Sequence, residues 1–296
     1  MDWTTTHDLD TFLTAAGDFL RARPAEHTQL LGVTATLAAS GPAAYGDRPP
    51  RYGWWPGPDG RTAAAFVWTP SRPPLLSAMP GRAAAALLDV LAAGPEPVGG
   101  ANGTRAAADA FTAAWERRTG RTARLRTHLT LYRLGEPAPP DPAPRGRARP
   151  ATAADRDLVM DWWGEFARES GGEPSGHAGV VADRLSYGGL TLWEADGRPA
   201  AFASRTRTVA GMVRVGPVYT PPELRRNGYA AGASAAVSRA ALAAGAGQVL
   251  LFADAANRTS TALYERLGYR PVGDHRRYDF PPAPCGTGDP SRPLSS

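Results

Sequence analysis

At 296 residues and 43% hydrophobic content, the chain is longer than one hydrophobic core usually spans, so two globular cores are expected. All 33 Lys+Arg positions are arginine and the net charge is +5, but the arginines are scattered and no RNA- or DNA-binding motif accompanies them, so no nucleic acid partner is expected. The single cysteine, Cys285, permits no intrachain disulfide, the five histidines lack metal-ligand spacing, and no apolar run of about 18 residues occurs; the expectation is a cytoplasmic protein without metal or membrane span.

In the first half, Leu9, Phe12, Leu13, Ala16 and Leu20 recur at helical spacing, predicting a helix over 9–22 and a second over 25–39. Strands are predicted over 52–55, 63–69 and 74–79, with Pro58-Asp59-Gly60-Arg61 turning between the first two. A helix over 82–92, a short strand over 97–100, a helix over 104–118 and a long alternating strand over 123–134 follow. Residues 135–149 hold five prolines and no apolar periodicity, which reads as a linker.

The second half repeats this order. A strand begins at Arg147, Thr152 caps a helix over 155–169, and a helix over 177–185, a hairpin over 190–208, a strand over 212–220, a helix over 229–244 and a strand over 248–254 come next. Asp59-Gly60-Arg61 parallels Asp196-Gly197-Arg198, and Trp115-Glu116-Arg117 parallels Tyr264-Glu265-Arg266, which predicts a duplicated fold; chance matches in an Arg- and Ala-rich chain are the competing explanation. The predicted class is α/β with a mixed (α+β) sheet. Residues 1–136 form one lobe, 137–146 a Pro-rich linker, 147–281 a second lobe, and 282–296 a disordered tail.

Chemistry concentrates in Pro221-Pro222-Glu223-Leu224-Arg225-Arg226-Asn227-Gly228-Tyr229-Ala230, between a strand and an alanine-rich helix. Backbone N–H groups crowd a helix N-terminus, Gly228 accepts conformations closed to other residues, and two arginines add positive charge, so a diphosphate suits the loop. Arg225 to Ala230 resembles the R/Q-x-x-G-x-G/A signature with which the GNAT acyltransferase superfamily binds the pyrophosphate of acetyl-CoA. Downstream, Asn257-Arg258-Thr259-Ser260-Thr261-Ala262-Leu263-Tyr264-Glu265-Arg266-Leu267-Gly268-Tyr269 resembles that family's second signature, N-x-x-(A/S)-x-x-x-Y-x-x-x-G-(F/Y). The resemblance covers residues 147–280. It implies tandem GNAT-like folds, with acetyl-CoA as co-substrate in the second lobe and a degenerate first lobe, whose loop Met79-Pro80-Gly81-Arg82-Ala83 lacks the signature and whose Trp115 stands in place of the phenol.

By the same resemblance, Arg225, Arg226, Asn227, Gly228, Tyr229 and Ala230 hold the diphosphate, while Asn257 and Ser260 meet the pantetheine arm. A strand disruption at Gly216-Pro217-Val218 lets Val218, Tyr219 and Thr220 line the cofactor. Tyr264 is the candidate general acid, since a phenol of ordinary pKa keeps its proton at neutral pH; a core tyrosine is the alternative, as a plain helix cap is for Asn257. Asp161, Glu165 and Glu169 recur every four residues beside Trp162, and with Glu194 they are candidates to hold a cationic amine; a solvated helix face is the alternative. The resulting reading is an N-acetyltransferase acting on a small-molecule primary amine, as a monomer or homodimer. An idle acyl-CoA-binding or protein-interaction module and a protein acetyltransferase are the other readings.

Overall fold

The computed structural model describes residues 2–172 and 176–282; Cys285 and all of the expected tail but residue 282 fall outside them. In the strand Thr62–Trp68 (β3), Ala64, Phe66 and Trp68 enter one core and Ala65 and Val67 another, and all five are buried. A strand apolar on both sides belongs to a sheet covered on both faces. The covering helices are Leu9–Arg21 (α1), Thr28–Ser40 (α2), Arg156–Glu169 (α5) and Ala178–Ser186 (α6) on one face, and Gly81–Ala92 (α3), Arg105–Thr119 (α4), Tyr229–Ala243 (α7) and Arg258–Arg266 (α8) on the other.

The remaining strands are Thr4–Thr6 (β1), Arg51–Pro56 (β2), Leu75–Leu76 (β4), Gly100–Thr104 (β5), Arg124–Leu134 (β6), Arg147–Pro150 (β7), Leu190–Ala195 (β8), Arg198–Arg205 (β9), Met212–Tyr219 (β10), Gln248–Asp254 (β11) and Tyr269–Asp279 (β12). Among the described residues, twelve strands form one mixed sheet in the order β1-β2-β3-β4-β5-β12-β6-β11-β10-β9-β8-β7. One series of elements, β-α-α-β-β-β-α-β-α-β, therefore runs through the chain twice, and the strand order of one half mirrors that of the other. The last strand of each half is exchanged. β6 pairs with β11 of the second half, and β12 lies between β5 and β6.

Three strands depart from the sequence expectation: β5, β12 and β1, the last of which was not expected at all and pairs antiparallel with β2. The predicted strand over 97–100 is displaced to β5, whose Gly-Ala-Asn-Gly start reads as a turn; its glycines serve close approach instead, since a Cβ on Gly103 would lie 2.6 Å from the Leu76 carbonyl oxygen and one on Gly100 would strike the backbone of Tyr278. β12 carries little apolar alternation, and its strand character comes from hydrogen bonding to neighbours on both sides.

The halves are also tied through α2 and α6. Asp183 on α6 is fully buried and accepts hydrogen bonds from Ser40 Oγ (3.0 Å) and Thr36 Oγ1 (3.3 Å) of α2, and from Arg207 Nη2 (2.8 Å) and Nε (3.0 Å). A buried carboxylate is tolerated only when its charge and lone pairs are matched in this way. Arg214 on β10 donates to the carbonyl of Thr28 at 2.8 Å, making a further bond across the junction.

Candidate active site

Strands β10 and β11 run parallel and pair from Met212↔Gln248 to Val215↔Leu251. Beyond that point β10 continues through Gly216-Pro217 to Tyr219, while β11 goes on pairing with β6 as far as Asp254. The β9–β10 register shifts between Val215 and Val218, at the position where Gly and Pro predicted a disruption. The result is a wedge between two parallel strands, with backbone groups of Gly216 to Tyr219 along one side free of a β11 partner.

At the end of β10 the chain turns through Pro221 to Asn227 into α7. Arg226 (φ 67°) and Gly228 (φ 77°) are left-handed, and Asn227 Nδ2 holds the turn by donating to the carbonyls of Leu224 (3.1 Å) and Arg225 (3.2 Å). The helix has no side-chain N-cap and no acidic residue in its first turn, so its leading N–H groups face outward without an internal acceptor. That is the electrostatic setting an anion requires. Thr220, at the mouth of the wedge, is buried, and its hydroxyl lacks a partner.

The residues around this loop separate onto two sides of the sheet. Val218, Tyr229 and Tyr264 pack on the core beneath α7 and α8. Tyr219 points the other way, where its hydroxyl donates to Glu165 Oε2 (2.9 Å) and Glu169 Oε1 (3.3 Å) and its ring lies 6.4 Å from that of Trp162. Arg225 grips both carboxylate oxygens of Glu169 (2.7 and 2.8 Å) and donates to the carbonyl of Thr220 (3.0 Å). Glu165 and Glu169 thus clamp α5 to the end of β10 and to the loop. Desolvation, then the hydrogen bond to Glu165, pushes the Tyr219 phenol up, and Glu169 raises the Arg225 guanidinium.

Tyr264, on α8, is half-buried, and desolvation pushes its phenol up to about 12. The hydroxyl faces the buried Ser234 of α7 without completing a full hydrogen bond, and the ring meets Tyr269 edge-on at 6.0 Å. Asn257 is the N-cap of α8, accepting from Ser260 N at 3.0 Å.

The remaining sequence candidates lie on α5 and β8. Asp161 is exposed on α5, and Trp162 is buried against Phe202 with ring centroids 6.4 Å apart. Glu194 belongs to a cluster at the β7 edge, where Arg149 binds it (2.6 Å) together with Asp155 (2.7 Å). Sequence reasoning missed Ser234. Its signal is the hydroxyl pair Ser234 and Ser238, four residues apart and both buried in an otherwise alanine-rich helix, with Ser238 meeting the Tyr269 hydroxyl at 2.7 Å. It also missed how closely the Pro-rich segment packs: a Cβ on Gly228 would lie 3.2 Å from Pro144, Trp193 Nε1 donates to the Arg145 carbonyl (2.9 Å), and Ala138 N donates to the Leu267 carbonyl (3.1 Å). Among the described residues, no cluster of three or more His, Cys, Asp or Glu could hold a metal ion, and no helix is long and apolar enough to cross a membrane.

The family model described as FR47-like protein matches residues 198–278, from β9 into β12. No curated protein matches the chain. Among solved structures, a GNAT-family acetyltransferase from Colwellia psychrerythraea is similar at TM-score 0.58 and 10% identity, covering 95% of this chain and 100% of its own. A Drosophila protein is similar at TM-score 0.63 and 16% identity, with 92% and 96% covered. A GCN5-related N-acetyltransferase from Sphaerobacter thermophilus is similar at TM-score 0.55 and 16% identity, with 93% and 94% covered. At these identities the likeness is one of fold. The chain has the GNAT N-acetyltransferase fold, in a twelve-stranded mixed sheet that fits a two-lobed arrangement.

Proposed function

We propose that the protein transfers an acetyl group from acetyl-CoA directly to a primary amine of a small molecule, and that the second half of the chain carries the reaction. The observation that carries this reading is the wedge between β10 and β11 leading to the uncapped N-terminus of α7. A long thioester with a diphosphate at one end fits that geometry: the anion at the helix amides, the arm along the unpaired backbone of β10, and the buried, unpartnered Thr220 hydroxyl at the mouth. When bound, acetyl-CoA supplies an activated acyl group.

The chain's own residues then have separate tasks. The amides of residues 226–230 and the guanidinium of Arg226 hold the diphosphate. Arg225, engaged with Glu169, fixes the loop more than it touches the anion. The Tyr264 phenol keeps its proton and donates it to the departing thiolate, and Asn257 caps the helix that presents it. In this reading Glu165, Glu169 and Tyr219 set the floor of the acceptor side. The two lobes, residues 1–136 and 147–281 joined by 137–146, each complete their sheet with the other's last strand, and the first has lost the diphosphate loop.

The test has two parts: calorimetry with CoA, and release of free thiol from acetyl-CoA across a panel of small amines and lysine peptides. Binding of CoA with amine-dependent thiol release is the expected result. Failure of CoA to bind at millimolar concentration would overturn the reading; binding with no release toward any amine would leave an idle binding module, and release with peptides alone a protein acetyltransferase.

A further inference from the structure

Val213 and Val215 of β10 enter the core beneath α7, and Met212 enters the core beneath α1 and α2, so Arg214 projects on the side of the sheet that α1, α2, α5 and α6 cover. α2 lies over it there: Arg214 Nη1 donates to the Thr28 carbonyl (2.8 Å), and a Cβ on Gly32 would lie 3.6 Å from Nη2. The guanidinium is 5.9 Å from the centre of the Phe252 ring. Desolvation, then repulsion from Arg184, lowers it to about 10.

Enclosed charges are ordinarily matched, and the neighbouring ones are: Asp183 is shared by Arg207 (2.8 Å) and Arg184 (3.5 Å). Arg214 differs. Among the described residues no carboxylate pairs with it, and the groups whose charge it feels are Arg184 and the phenols of Tyr45 and Tyr187. The Thr28 carbonyl occupies Nη1, whereas Nε and Nη2, which form one edge of the guanidinium, have no protein partner. That edge is not sealed from solvent, and Arg214 is half-buried where the side chains of Arg184 and Asp183 are 5% and 0% exposed. An accessible, uncompensated guanidinium inside the junction suits a carboxylate, whose two oxygens match two parallel N–H donors.

Its position relates it to the wedge. Arg214 lies two residues before Gly216, where β10 parts from β11, and Phe252 is the first residue of β11 beyond the last pair, Val215↔Leu251. A Cβ on Gly216 would have no atom within 4 Å, so the backbone there borders open space. Only about 7 Å of strand separates Arg214 from Gly216, so one small molecule can place an amine at the wedge and an anion on the guanidinium. Tyr264, the proposed acid, packs on the opposite face of the sheet, and the face of Arg214 is the one that the proposed reaction leaves to the acceptor.

We infer that the acceptor is a small amino acid, whose carboxylate is bound by the Nε and Nη2 edge of Arg214 while its amine faces the wedge. Arg214 is then the residue that selects amines carrying a carboxylate over those that lack one. The inference rests on acetyl transfer at the wedge, as proposed above.

The full chain is assayed for thiol release from acetyl-CoA with amino acids, β-alanine and 4-aminobutyrate among them, each beside its primary amide, which keeps the amine and removes the negative charge. In the wild type at least one acid should exceed its amide by about tenfold or more in kcat/KM, mainly through KM. In Arg214→Met the pair should converge to within about threefold with CoA affinity unchanged by calorimetry, and Arg214→Lys should keep part of the preference. Arg214→Met removes an enclosed, unpaired charge, so it should melt close to wild type; if it does not fold, the wild-type comparison and Arg214→Lys decide. Turnover in which the amides match the acids would overturn the inference and leave acetyl transfer standing. A preference that survives Arg214→Met, or one lost together with CoA affinity, would overturn it equally. No thiol release with any amine would remove this inference and the acetyl-transfer reading together.

Discussion

Replacing Tyr264 with Phe removes one hydroxyl and leaves the ring in place against Tyr269. Desolvation pushes the phenol up to about 12, so from pH 6 to 10 it is almost wholly protonated and able to donate. Removing a general acid lowers kcat by about 10²- to 10⁴-fold, a barrier increase of roughly 3–5 kcal/mol. The other consequences are small. The hydroxyl makes no complete bond with Ser234, so stability should change by no more than ~1 kcal/mol. CoA affinity should hold, because the cradle is built from α7 and its preceding loop. The assay is steady-state thiol release from pH 6 to 10, with CoA calorimetry and a thermal melt on the same preparations. The wild type should show no alkaline loss of kcat from Tyr264 below about pH 10, since its proton is lost only near 12. A Phe variant within about threefold of wild-type kcat, or one losing CoA affinity in parallel with kcat, would refute the assignment and return Tyr264 to the core.

Gly228→Ala is expected to cost about 1–2 kcal/mol of stability, because φ of 77° disfavours a side chain and Pro144 stands 3.2 Å from the new Cβ; chemical denaturation measures this, and calorimetry should show weakened CoA binding. Arg207→Ala leaves the Asp183 carboxylate buried without its main charge partner and should destabilise by about 3 kcal/mol, read as a lowered urea midpoint. Residues 146–281 expressed alone lack β6 and leave facing edges of β11 and β12 unpaired, so size-exclusion chromatography should find aggregate; a soluble monomer that binds CoA like the full chain would contradict this.

The helices were legible because their cores are written in local periodicity: the stripe Phe12, Ala16 and Leu20 is buried as its spacing requires. The strand disruption was legible because Gly216 and Pro217 are both poor at pairing, and the register shifts there. β5 and β12 were not, since one is held by glycines at close backbone approach and the other by two neighbours distant in sequence. The helical carboxylates illustrate a further limit. Spacing puts Asp161, Glu165 and Glu169 on one stripe, yet only Glu165 and Glu169 reach the Tyr219 hydroxyl, a distinction set by where the tip of β10 passes α5. The partners of Arg225 and Glu194 are ion pairs over 45 residues or more of sequence, beyond any local pattern.

The exchanged strands bear on how the chain matures at the ribosome. When β6 is made, neither of its eventual neighbours, β11 and β12, has been translated, and β5 likewise waits for β12. The first half therefore cannot close its sheet during synthesis. It has to persist with open hydrogen-bonding edges until the codons for Tyr269–Asp279 have been read, a window in which nascent chains on neighbouring ribosomes can pair through the same edges. Nonsense or frameshift lesions even a few codons before β12 should accordingly act as null alleles for both halves at once, with the product handed to chaperones and proteases instead of surviving as a working fragment.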